Sequence, residues 1–136
     1  MFPVNWEAMM IKTFLCKPAA MFVVLGMTGS VALAQAADPV KGKQTFARCG
    51  ICHSVVAGEN RIGPSLAGVV GRRSGSIANF NYSPAMKASH LTWTPAELDT
   101  YLTKPSTKVP GTKMIFAGLT SPADRANVIT YLTTLK

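Results

Sequence analysis

Acidic residues are scarce in this chain: Asp and Glu number 6 against 14 Lys and Arg, giving a formal net charge of +8 over 136 residues. That imbalance favours partners with a negative face, whether nucleic acid, anionic membrane or acidic protein, and composition does not choose among them. Cysteine is also sparse; three residues are too few for a disulfide scaffold. Histidine is limited to His53 and His90, which leaves little from which to build a structural zinc site of four nitrogen and sulfur ligands. No apolar run reaches the roughly 20 residues that span a bilayer. The longest, Ala19 to Ala34, has 16 residues and is interrupted by Gly26, Thr28, Gly29 and Ser30. Internal repeats and low-complexity tracts are absent. What the chain does have is 48% hydrophobic residues, too many for intrinsic disorder, in a length that suits one domain rather than a multidomain enzyme or large barrel.

The apolar run follows Lys12 and Lys17 and leaves through small residues, Ala32-Leu33-Ala34 and Ala34-Gln35-Ala36. A charged start, a short apolar centre and an Ala-x-Ala exit make a cleavable secretory signal peptide. Residues 1–36 are therefore read as a leader and 37–136 as the mature, exported domain. Trp6 and Glu7 are odd in such a leader, and Met9 or Met10 is the expected translation start. An uncleaved membrane anchor is the competing reading. Cleavage removes Cys16, leaves Cys49 and Cys52, and keeps a net charge of +7. A domain of about 100 residues buries roughly 60–70% of its unfolded surface, which is marginal without a staple or a cofactor.

Four helix starts are written as a capping residue followed by proline: Asp38-Pro39, Ser83-Pro84, Thr94-Pro95 and Ser121-Pro122. Proline suits the first helical position because the N–H it lacks would be unpaired there. Thr94 with Glu97 makes a capping box, and Ser121 with Asp124 a weaker one. These signals predict an all-α domain. The first helix runs from Asp38 to about Arg48; another runs from Thr94 to the stop at Lys104-Pro105; a last one carries Val128, Tyr131, Leu132 and Leu135 on one face. Gly42 in the first helix permits close approach of another helix. Long loops, Ser54–Phe80 and Pro105–Thr120, separate the helices; loops of this length in a small domain are functional or wrap around something.

Cys49-Gly50-Ile51-Cys52-His53 is the C-x-x-C-H haem attachment sequence. Two thiols bond to the haem vinyl groups, and the adjacent histidine is thereby held at the iron. A thioredoxin-type C-x-x-C needs a βαβ context that the chain does not show, zinc lacks ligands, and a simple disulfide explains neither His53 nor the leader. A soft thioether suits the sixth position of an iron that shuttles one electron, because methionine paired with histidine raises the potential. After cleavage Met86 and Met114 remain, and His90 offers a bis-histidine alternative.

Three blocks resemble class I cytochrome c, mitochondrial or bacterial cytochrome c2-like: Lys41 to Arg48 before the motif, Gly63-Pro64-Ser65-Leu66-Ala67-Gly68-Val69-Val70-Gly71-Arg72 after it, and Pro110-Gly111-Thr112-Lys113-Met114-Ile115-Phe116-Ala117-Gly118 near the end. The likeness covers Asp38 to Lys136. It implies an all-α cytochrome c fold, with three main helices, short helices and long loops around one covalent haem c. It places His53 and Met114 at the iron, and Met86 in the core near the haem. It implies that the Pro64 carbonyl accepts from His53, that Arg72, Tyr82 and Trp93 donate to the haem propionates, and that Tyr101 and Thr112 lie on the Met114 side. The implied function is a soluble periplasmic one-electron carrier, not an enzyme, working as a monomer without nucleic acid or small-molecule substrate. Its partners would be redox proteins with acidic docking faces: a cytochrome bc1-type donor, and a terminal oxidase, reductase or reaction-centre acceptor. Arg48, Arg61, Lys87, Lys104, Lys108 and Lys113 are the candidates to ring the haem edge. The alternatives are a peroxidase-like or ligand-binding haem protein with an openable distal site, and a carrier anchored by its retained leader. N-terminal sequencing of the exported protein should find Gln35 or Ala37 first; an intact leader on the mature chain would establish the anchored form.

Overall fold

The computed structural model describes residues 36–136, so the features read from residues 1–35 lie outside it. The described chain forms five helices: α1 (Pro39–Gly50), α2 (Pro84–Ala88), α3 (Pro95–Thr103), α4 (Pro105–Lys108) and α5 (Pro122–Thr133). Among the described residues there is no strand beyond an isolated antiparallel bridge between Arg73 and Thr92. The fold is all-α, as the capping signals require, and none of these helices is long and apolar enough to cross a membrane.

The four cap–proline signals operate as written. Asp38 accepts from the Val40 N–H at 2.8 Å, Ser83 from Met86 at 3.1 Å, Thr94 from Glu97 at 3.1 Å and Ser121 from Asp124 at 3.2 Å. Each satisfies a donor that the first turn leaves unpaired, worth about 1 kcal/mol. The capping box at Thr94 closes on one side only. The Thr94 N–H donates to the Thr92 carbonyl, while the Glu97 carboxylate turns to Lys108. Two boundaries differ from the sequence reading. Helix α1 continues to Gly50, which carries Cys49 on its last turn, and Pro105 opens the short helix α4 where loop was expected. The same N1 preference that ends α3 before proline allows proline to start a new turn.

Helices α1 and α5 cross at Gly42, where a Cβ would overlap the Asn127 carbonyl and lie 2.8 Å from the Tyr131 Cβ. Beside the crossing, the Phe46 and Tyr131 rings meet with centroids 5.3 Å apart at 59°. Val128, Ile129 and Leu132 turn the other side of α5 inward with Leu98 and Leu102 of α3. Arg125 is nearly buried, but its guanidinium is well paired: Nε donates to Asp99 at 2.7 Å, and Nη1 to the carbonyls of Leu119 and Thr120. This joins α5, α3 and the returning chain at one point, and a buried cation is tolerated when its donors are used this way. Residues 51–83 wrap the remaining side. Their backbone is held by Gly63 to Cys52, Leu66 to Ser54 and Gly68 to Leu135 hydrogen bonds, and by the buried Ser65 hydroxyl, which donates to Val56 at 2.7 Å.

Gly42→Ala should destabilise the domain by about 1–3 kcal/mol, the usual cost of overpacking, because the contact is with backbone that cannot rotate away. A denaturant midpoint unchanged from wild type would show that the helices separate at little cost.

Candidate functional site

The helices and the two loops surround a cavity of about 400 Å³ whose walls are mostly apolar. Its size lies within the range of small-molecule and cofactor sites. Leu66, Val69, Leu98, Leu102 and Leu132 contribute aliphatic wall, and Trp93, Tyr101 and Phe116 aromatic wall. Cys49, Cys52, His53, Pro64, Arg72, Tyr82, Trp93, Tyr101, Thr112 and Met114, separated by up to 65 positions in the sequence, all line this one space. Met86 lines it as well and is buried, whereas His90 is exposed and is not part of the lining.

The attachment motif sits at the end of α1. The Cys52 and His53 N–H groups both donate to the Cys49 carbonyl, at 3.0 and 2.9 Å, which brings the two cysteines and the histidine round a single turn. Cys49 and Cys52 form no disulfide with each other, and burial pushes the Cys49 thiol above its usual pKa. His53 Nδ1 lies 2.7 Å from the Pro64 carbonyl. A carbonyl can only accept, so Nδ1 carries the hydrogen and Nε2 is left with the lone pair that a metal requires. Burial also lowers the pKa of His53, favouring the neutral ring that acts as a ligand. Gly63 sets the distance between them: a Cβ there would run into the imidazole, meeting Nδ1 at 2.6 Å. Only glycine lets the loop pass close enough to offer the next carbonyl.

The methionine loop meets the cavity from another side. The Tyr101 hydroxyl donates to Met114 Sδ at 3.4 Å, and the Met114 N–H donates to Thr112 Oγ1 at 3.2 Å. Burial raises the Tyr101 pKa, so the phenol stays protonated as the donor. The Arg72 guanidinium donates to the Ala67 and Ser65 carbonyls at 2.8 and 2.9 Å, which fixes it at the cavity and leaves further N–H groups unassigned. Tyr82 packs edge-on against Phe80, and Trp93 is buried against Tyr101.

These residues fit a covalently held haem. Paired thiols stand at the wall, a tautomer-fixed imidazole and a thioether share the cavity with them, and apolar surface supplies the rest. Residues 39–136 match the Cytochrome c family model. Cytochrome c2 of Rhodomicrobium vannielii is 54% identical over 100 residues, covering 73% of this chain and 80% of that protein. Cytochrome c2 iso-2 of Magnetospirillum fulvum is 52% identical over 90 residues, 66% of this chain and 94% of that protein. Among solved structures, cytochrome cH from Methylobacterium extorquens superposes with a TM-score of 0.69 at 41% identity, over 72% of this chain and 99% of that one.

The chain belongs to the cytochrome c family. As a family member it carries covalently bound haem c and serves electron transport, and it is not an enzyme. In cytochrome c terms, the sequence reading missed most of the apolar wall and two residues at its mouth. Ile62 and Ile115 line the cavity yet are 79% and 102% exposed. Both lie in glycine-bearing loops without periodicity, where an apolar residue gives no signal of its direction. Of the cations expected at the haem edge, Arg61 pairs with Glu59 and Lys108 with Glu97. Arg48 and Lys113 do line the cavity.

Proposed function

We propose that this cytochrome c is a soluble periplasmic one-electron carrier of the cytochrome c2 type, in which His53 and Met114 would ligate the haem iron. The observation that carries this reading is the convergence of the fixed His53 tautomer and the Tyr101-bonded Met114 thioether on the cavity beside Cys49 and Cys52. When bound, the haem supplies the one-electron Fe(II)/Fe(III) couple. The protein's part is positional. Cys49 and Cys52 hold the group by two thioether bonds, and Pro64 orients His53. Tyr101 and Thr112 hold Met114 in place, so neither ligand has to move when charge changes. The Tyr101 hydroxyl also draws electron density from the sulfur, which favours the reduced state. Arg72, Tyr82 and Trp93 offer N–H and O–H donors to the carboxylates of the macrocycle, whose charge is costly in an apolar wall unless paired.

The leader, residues 1–36, directs residues 37–136 to the periplasm and is removed there. This is supported by the Ala-x-Ala exits and by the cytochrome c2 relatives. Exposed Ile62 and Ile115 beside Arg48 and Lys113 form an apolar opening with a basic margin. Such a surface suits brief docking on an acidic redox protein, a cytochrome bc1-type donor or an oxidase, reductase or reaction-centre acceptor, because surface charge speeds encounter more than it deepens affinity. The Tyr101–Met114 contact favours this closed carrier over a peroxidase-like or ligand-binding protein with an open distal site.

Met114→Ala should abolish the red-region thioether-to-iron absorption of the ferric protein; a surviving band would move the assignment to Met86. Electron transfer with a membrane oxidase should slow as ionic strength rises and the docking charges are screened. A rate indifferent to salt would remove the steering role.

A further inference from the structure

Glu97 and Lys108 form an ion pair that takes no part in the cavity wall. Glu97 lies in the first turn of α3, and Lys108 is the last residue of α4. The pair is partly sheltered, with side chains 26% and 30% exposed, and Glu97 Oε1 is sealed from solvent with no other polar partner among the described residues. Helix α4 has four residues and no side-chain cap, so it has little stability of its own and depends on contacts to hold its place.

We propose that the Glu97–Lys108 pair is a latch that positions the Met114 loop; this rests on the reading of Met114 as the axial ligand. The connection is continuous. After Lys108, Val109 is 3% exposed, and its carbonyl accepts the Thr112 N–H at 3.1 Å. Thr112 Oγ1 accepts the Met114 N–H, and Met114 Sδ accepts the Tyr101 hydroxyl. Tyr101 stands four residues after Glu97, one turn further along α3. The segment from Lys108 to Met114 is therefore fastened to the same helix at both ends, by charge at one and by a hydroxyl at the other. Tyr101 touches the thioether directly. Glu97 and Lys108 act at a distance, by limiting how far the stem of the loop can swing. Releasing the charged end should let the loop open without unfolding the domain.

The test uses ferric holoprotein, with imidazole as an external ligand that enters only when the thioether leaves the iron. Glu97→Gln and Lys108→Met should each raise imidazole affinity about fivefold, the scale of a partly sheltered pair. The double variant should gain no more than either single one, and Lys108→Arg should stay close to wild type. Single variants within about twofold of wild type in imidazole affinity, with only a lower denaturant midpoint, would overturn the latch by showing that the pair stabilises the fold alone. Full singles that add in the double variant would overturn it as well. If Met114→Ala keeps the red-region band, the ligand reading itself falls and the latch with it, an outcome visible without either latch variant.

Discussion

The apolar cavity is the constraint on which the rest of the structure depends. Side chains that line an apolar space of about 400 Å³ lack partner atoms on one side, and a group that fills it supplies those contacts. The haem is thus a structural member as well as the electron carrier. Helix α5 packs against both α1 and α3 along one side of this space and the two loops close the others. The buried Leu98, Leu102 and Leu132 serve both the helix contacts and the cavity wall.

The site's polar groups follow from the same geometry. In an apolar wall each donor or acceptor needs a fixed partner, and here the partners come from backbone. Pro64 accepts from His53, and Ser65 and Ala67 accept from Arg72. These bonds convert loops without regular structure into rigid walls. Glycine is required at Gly63, where backbone passes against the imidazole, and at Gly118, where a Cβ would overlap the Thr103 carbonyl. The methionine segment is consequently held to α3 on both sides: by Lys108 on Glu97 before it, and by the Leu119 N–H on the Leu102 carbonyl after it.

Much of this was legible in the sequence because its causes are local. A cap followed by proline places a helix start through its own hydrogen bond, and four such signals outlined the all-α fold. Cys49, Cys52 and His53 fall within one five-residue motif, so their chemistry can be recognised without a fold. Met114, Pro64, Tyr101 and Thr112 were reached through resemblance to the family, since no local rule brings residues so far apart in the chain to one cavity. The partners of Arg61 and Lys108 were not legible, because a cation's partner depends on where other segments lie. The start of α4 at Pro105 was missed because the same residue signals both a stop and a start.

By itself, then, the sequence determined the helix starts, the covalent anchoring motif, the basic excess and the leader-like segment, all properties of neighbouring residues or of composition. Only the tertiary structure decided which nitrogen of His53 is free, which thioether Tyr101 engages, which cations are paired and which isoleucines stand at the cavity mouth. Those outcomes depend on distances between segments far apart in the chain, and such distances are set when the helices and loops pack around a common apolar centre.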